Sequence, residues 1–214
     1  MAGSVAKAIE GGAADDAAKR LADDARKEEE RRDVEATWEE LTDADAMTLD
    51  EAVDALRKVL PFRQPLEIQE LFEAGLKVPN GRVGKMMALF QAVFTKEGGE
   101  DPGQRLDLIA EKYKFYLAAC AQINDGYQPA ALIALEHLVG VLLPTRVKEV
   151  ALVMKVLYEY DMVSDDVFDQ WNESAAMMVK FKIPKEVSAT VREAAQPFLD
   201  MIADSEDESS SDEE

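Results

Sequence analysis

Cysteine and histidine are nearly absent. The 214 residues hold one of each, Cys120 and His137. A single cysteine excludes an internal disulfide and any cysteine-based zinc site. A single histidine in an apolar helical run cannot build a Ser-His-Asp triad without distant partners, and no nucleophile elbow accompanies it. His137 therefore reads as a structural histidine and Cys120 as an inert core thiol. No run reaches the ~18 apolar residues of a membrane span, and the N-terminus lacks the layout of a signal peptide. Strand-like alternation is essentially missing. No enzyme, cofactor or metal site is expected, and a cytosolic or nuclear setting follows by default, with the cytoplasm the expected one.

What the chain has in excess is acid, with 44 Asp and Glu against 24 Lys and Arg, a net charge of −20. The excess is local. Between Glu159 and Glu173 stand six carboxylates and no base: Glu159, Asp161, Asp165, Asp166, Asp169 and Glu173. From Asp200 onward stand eight more, among them Asp204, Glu206, Asp207 and Glu208, again with no base. Concentrated like charge destabilises a compact state, so the two blocks ask for a positive partner. The sign argues against nucleic acid and anionic membrane, whose surfaces are also negative, and favours a basic protein.

The remainder reads as helices. Residues 1–46 are Ala-rich and charge-rich with thinly spread apolar residues, a solvated helix or a disordered linker. From Thr48 the pattern becomes helical. Thr48 and Glu51 form a capping box, and Leu49, Val53, Leu56 and Leu60 line one face. Pro61 and Pro65 interrupt it, and a short helix follows over 66–74 with Gly75 as a candidate C-cap. Further stripes run Val83–Phe94, Leu106–Cys120, Leu132–Leu142, Val147–Leu157, Val167–Met178 and Val187–Ile202. The fold class expected is all-α, a HEAT-like solenoid of antiparallel helix pairs over 47–203 at about 40 residues per pair. The arm 1–46 precedes it and a disordered acidic tail, 204–214, follows. Such a solenoid offers long surfaces and suits a monomeric binding module.

Minor motifs dissolve on inspection. Gly81-Arg82-Val83-Gly84-Lys85-Met86 has the wrong glycine spacing for a phosphate loop and a Met where Ser or Thr should bind magnesium. Asp43-Ala44-Asp45 lacks the later ligands of a calcium loop. The acidic segments carry structural readings as well as binding ones. Ser164 suits an N-cap, with Asp165 and Asp166 complementing the helix dipole. Trp171 lies on the apolar stripe with Phe168, a core position, yet stands among carboxylates. Glu159 and Asp161 end a helix, where negative charge is unfavourable, so an external partner is the better reason for them. Tyr158, Tyr160 and Trp171 could receive lysine heads by cation–π contact. Lys180, Lys182 and Lys185 form either a solvated loop or a second contact surface of opposite sign. Ser205, Ser209, Ser210 and Ser211 each precede an acid by three residues, the pattern of an acidophilic kinase. Phosphate there would add about −1.5 to −2 charges each.

Both acidic segments resemble the paired aromatic and acidic boxes of the C-terminal domain of eukaryotic translation initiation factor 5. Leu157-Tyr158-Glu159, Asp161, Asp165-Asp166-Val167-Phe168 and Trp171 resemble the first box. Val191-Arg192, Ala195, Pro197-Phe198-Leu199, Asp200 and the acidic-serine tail resemble the second. The resemblance is strong from Pro129 to Glu214, weaker from Thr48 to Gly126 and absent before. Where the family's second box usually carries Trp, this chain has Met201, which can fill an apolar gap.

The resemblance implies an atypical HEAT domain and an assembly function in translation initiation. The family's boxes bind lysine-rich segments of the initiation factor 2 beta subunit, and its domain also contacts initiation factors 1 and 3 in the preinitiation complex. The family factor's GTPase-activating domain has a four-cysteine zinc ribbon that this chain lacks, so the polypeptide alone is not expected to stimulate GTP hydrolysis. Similar boxes close the epsilon subunit of initiation factor 2B and occur in proteins that mimic and compete with factor 5. Outside the family, an acidic scaffold or chaperone for basic proteins would share the charge but not the ordered helix ends.

Overall fold

A computed structural model describes residues 3–95, 104–174 and 180–209, with side chains over 19–95, 104–174 and 180–204. Every regular element in this part is helical. The helices are α1 (Gly3–Asp43), α2 (Leu49–Val59), α3 (Pro65–Glu70), α4 (Arg82–Phe94), α5 (Leu106–Ala121), α6 (Tyr127–His137), α7 (Val150–Glu159), α8 (Asp165–Glu173) and α9 (Lys185–Ser209). Local chemistry sets several starts. The Thr48 hydroxyl accepts from the Glu51 amide at 3.3 Å while Glu51 accepts from the Thr48 amide at 2.8 Å, so the expected capping box is present. Proline stands at the first position of α3, where a missing N–H costs nothing.

Two helices end differently from the periodicity-based expectation. α3 and α6 widen into single π turns, Leu71–Gly75 and Leu138–Leu142. The closing bonds run from the Leu76 amide to the Leu71 carbonyl and from the Leu143 amide to the Leu138 carbonyl, both at 2.8 Å. Leu76 therefore takes the cap position assigned to Gly75. A 3₁₀ turn, Pro144–Glu149, then leads into α7.

The solenoid has two layers. In one, α2, α4, α6 and α8 pack in succession; in the other, α3, α5, α7 and α9 do so. Phe72, Phe90, Phe94 and Phe168 are fully buried between them. Cys120 is also buried, which pushes its thiol well up. Gly140, in the second π turn, lets α9 approach: a Cβ there would lie 2.6 Å from Val187 Cγ1 and 3.1 Å from Val191 Cγ2. The fold is thus all-α and HEAT-like.

Both ends of the described chain are more structured than the sequence reading. The segment 1–46 was read as a solvated helix or linker, but α1 buries Val34, Thr37 and Leu41 in its last turns. Arg63 fastens this end, lying 4.5 Å above the Trp38 ring and pairing with Glu35 at 2.6 Å and Glu67 at 3.2 Å. The apolar residues 34, 38 and 41 fall on one helical face, and α2 supplies the surface they need. At the other end α9 continues through Ser209, into the stretch read as a tail. Among the described residues no helix is long and apolar enough to cross a membrane.

Candidate protein-binding surface

The two acidic segments meet at one end of the solenoid, joined by aromatic rings. Tyr158 closes α7, Phe168 lies in α8 and Phe198 in α9. Their centroids are 6.4 Å apart for Tyr158–Phe168, 6.0 Å for Tyr158–Phe198 and 4.8 Å for Phe168–Phe198, all edge-on. Such geometry suits the ring quadrupoles. The helical repeat then sorts each box into two roles: rings inward, carboxylates outward.

Asp161, Asp166, Asp169, Glu173, Asp200 and Asp204 are exposed. Glu159 is about half exposed and pairs with Lys155 at 3.5 Å. Asp161 adopts φ 52°, its carbonyl accepting from Gln122 Nε2 at 3.0 Å. Glu159 therefore has a local partner, contrary to the sequence reading, whereas the bond at Asp161 is to its main chain and leaves the carboxylate exposed. Asp165 is only half-buried but its Oδ1 is enclosed and unpaired. Ser164 does stand at the N-cap of α8, but its side chain makes no capping bond and donates instead to Gln128 Oε1 at 3.2 Å. Tyr160 is held between charges: Lys114 Nζ donates to its hydroxyl at 2.7 Å, that hydroxyl donates to Glu111 at 3.0 Å, and Lys114 stands 4.1 Å from its ring centroid. An internal lysine thus occupies the cation–π position offered to a partner.

Two expected contact residues are core residues. Phe198 is buried in the ring cluster and Trp171 is buried behind α8. The reason for Trp171 lies in α6. Glu136, fully buried, accepts from the Trp171 indole N–H at 2.7 Å and from Arg192 Nη1 at 3.4 Å. The Arg192 guanidinium also stacks 4.2 Å from the Trp171 ring centroid. Burial holds the Glu136 carboxyl above the usual carboxylate range, opposed by Ser188, Arg192 and Trp171, and burial lowers Arg192. One carboxylate therefore ties α6, α8 and α9 together. Sequence reasoning missed it, although a lone acid inside Ala130–Leu138 was the available signal.

Met201, placed where the family has Trp, is exposed rather than filling an apolar gap. Lys180, Lys182 and Lys185 are exposed. Lys180 lies 5.7 Å from the Phe181 ring, and Lys182 adopts φ 63°. Burial, with help from the Lys182 charge, lowers the neighbouring His137. Ser205, Glu206, Asp207, Glu208 and Ser209 continue the α9 backbone, but their side chains lie outside the described residues. Ser210 and Ser211 lie outside them altogether, as do Ala175 and Met178 of the expected α8 stripe. The glycine-rich turn before α4 forms no open cradle: the Lys85 ammonium donates to the Phe72 carbonyl, and a Cβ at Gly84 would collide with the Pro79 carbonyl. Among the described residues no group of His, Cys, Asp and Glu could hold a metal ion.

This end of the solenoid can present carboxylates to a cationic chain, and its helices hold those carboxylates in a fixed arrangement. Residues 127–212 match the family model of the W2 domain, eIF4-gamma/eIF5/eIF2-epsilon. The probable eukaryotic translation initiation factor 5 of Schizosaccharomyces pombe is 34% identical over 86 residues, 40% of this chain and 21% of that protein. Eukaryotic translation initiation factor 5 of Phaseolus vulgaris is 33% identical over 136 residues, 64% of this chain and 28% of that one. Probable eukaryotic translation initiation factor 5-2 of Arabidopsis thaliana is 29% identical over 159 residues, 73% of this chain and 33% of that one. The chain thus spans a third or less of the length of these relatives. No solved structure matches it. Residues 127–212 are thus similar to a W2 domain, and the chain resembles the C-terminal domain of a translation initiation factor of the factor 5 type.

Proposed function

We propose that the chain is a non-enzymatic assembly module of translation initiation, and that the end formed by α7, α8 and α9 binds a lysine-rich segment of the initiation factor 2 beta subunit. The observation that carries this reading is the ring cluster of Tyr158, Phe168 and Phe198, which brings both acidic segments to one surface. Asp161, Asp166, Asp169, Glu173, Asp200 and Asp204 are its exposed charges. A lysine chain gains Coulomb attraction and steering from such a surface, and the contact weakens as salt screens it. Glu159 joins by exchanging Lys155 for an incoming lysine. Trp171 and Phe198 contribute by placing the helices, not by touching the ligand. Initiation factors 1 and 3 are further partners proposed on the same family ground, and the cytoplasm is the proposed place of action.

The test is reversal of charge on the folded surface alone. Asp166→Lys with Asp169→Lys, both exposed in α8, leaves the ring cluster and the acidic end of α9 untouched. Affinity for a lysine-block peptide should fall at least tenfold while the far-UV circular dichroism spectrum stays unchanged. Unaltered affinity would remove α8 from the site.

A further inference from the structure

Apolar exposure is unequal between the two layers. Among the described residues, α2, α4 and α8 leave no large apolar side chain exposed and α6 only Val141 and Leu142 of its π turn, whereas α3, α5, α7 and α9 leave Leu66, Leu108, Phe115, Leu152 and Met201 exposed. Three of these lie on the adjoining helices α5 and α7. The bonds between these helices fix their register. The Leu106 amide donates to Glu149 Oε2 at 2.8 Å, and the Arg146 guanidinium donates to the Gln104 carbonyl, so the two helices start side by side. Further along, Lys114 reaches Tyr160, so they run in the same direction. Leu108 and Leu152 are each the third residue of their helix, and stand at matching heights.

Phe115 belongs to the same face. Lys114 turns toward α7, while the Tyr116 hydroxyl hydrogen-bonds on the opposite side to the Leu60 and Arg63 carbonyls, at 3.1 and 2.7 Å. Phe115, between them in sequence, points outward and is 67% exposed. It follows Leu108 by seven residues, two helical turns or about 10 Å, so the two side chains share one stripe.

The charge of this face runs against that of the molecule. Residues 104–121 and 144–159 hold six Lys and Arg against four Asp and Glu, in a chain of net charge −20. All four of those acids are paired with bases of the same segments: Asp107 with Arg105, Glu111 with Lys114, Glu149 with Arg146 and Glu159 with Lys155. Lys112 stands between Leu108 and Phe115 on the stripe, and Lys148 one turn before Leu152; both are exposed. A group of exposed large apolar side chains rimmed by charge marks a site for another protein. Self-association is disfavoured, because a second copy carries the same large negative charge.

We propose that the outer face of α5 and α7 is a second docking surface. Its ligand is an amphipathic helical segment of a partner protein that sets large apolar side chains, seven residues apart, against Leu108, Phe115 and Leu152, and carboxylates against Lys112 and Lys148. The ligand class is opposite in charge to the lysine-rich segment, and the proposal stands apart from that reading. An i, i+7 pair of anchors on such a helix matches the spacing of Leu108 and Phe115.

A displayed library of random 18-residue peptides, panned against the full chain, tests this. Recovered peptides are then titrated against wild type, the Leu108→Ser/Phe115→Ser double variant and Lys148→Glu. Because these side chains are exposed, the variants should fold; thermal melting and circular dichroism check that. The expected result is recovery of peptides combining large apolar residues at helical spacing with Asp and Glu. Their affinity should fall at least tenfold in the double variant and severalfold in Lys148→Glu, while binding of a lysine-block peptide stays within twofold of its wild-type value, whatever that value is. No enrichment, enrichment of basic peptides, or affinity unchanged in the double variant would overturn the proposal. So would micromolar self-association in sedimentation that the double variant abolishes, since the face would then belong to a second copy.

Discussion

Glu136 shows how one side chain can position a surface it never reaches. It is enclosed, and its two donors come from different helices, Trp171 of α8 and Arg192 of α9. Replacing it with alanine strands the Arg192 charge, whose Nε and Nη2 already have no hydrogen-bond partner, and the indole N–H. Loss of one member of a buried pair costs about 3–5 kcal/mol, so Glu136→Ala should lower the unfolding free energy by that order in a urea titration. Trp171 illustrates the limit of sequence reading at this scale. Its apolar spacing with Phe168 marked it as core, and its acidic neighbours marked it as a contact. The deciding bond comes from a residue 35 positions earlier, which no local pattern around Trp171 contains.

At the scale of elements, the helix starts were legible wherever chemistry is local: the Thr48 capping box and Pro65 at the head of α3. The π turns were not, because an extra residue in one turn leaves the apolar content of the segment unchanged. The docking of α1 was hidden for another reason. Most of its length is polar, and its buried residues Val34, Thr37 and Leu41 lie in the last turns, where it meets α2 and the π turn after α3. Two truncations separate those parts. Removing residues 1–28, whose described side chains at 19–28 are exposed or half-buried, should change stability by no more than about 0.5 kcal/mol. Leu41→Ala, at a site 1% exposed, should cost about 2–5 kcal/mol, read from the same denaturation curves. The junction of α5 with the 144–149 turn adds a pH dependence. Burial raises the Glu149 carboxyl, but the Arg146 guanidinium and the Leu106 amide outweigh it, so its value in the folded protein is lowered. A lowered carboxyl contributes stability above the usual glutamate range and loses it as pH falls through the folded-state value. Glu149→Gln should therefore flatten the acid limb of a Tm-against-pH profile and lower Tm at neutral pH. An unchanged acid limb would show that the pair contributes nothing.

The whole molecule separates its charges. The end formed by α7, α8 and α9 presents carboxylates over a ring cluster, while the α5/α7 face carries apolar side chains among bases. The HEAT-like fold and the acidic character of the boxes could be read from periodicity and composition, because both are properties of successive residues. The Glu136 bond that holds Trp171 and the internal lysine on Tyr160 could not, since they depend on which helices become neighbours. On the proposed function, fixed carboxylates, and not net charge alone, recognise a lysine-rich chain. The most direct test measures binding of a lysine-block peptide and of a scrambled peptide of equal charge across a salt series, with the full chain and with a chain ending at Ala203. The proposed function predicts a preference for the native order, affinity that falls steeply with salt, and a preference that survives the truncation. Equal binding of both peptides, lost entirely with the residues after Ala203, would contradict it and leave only a polyanion.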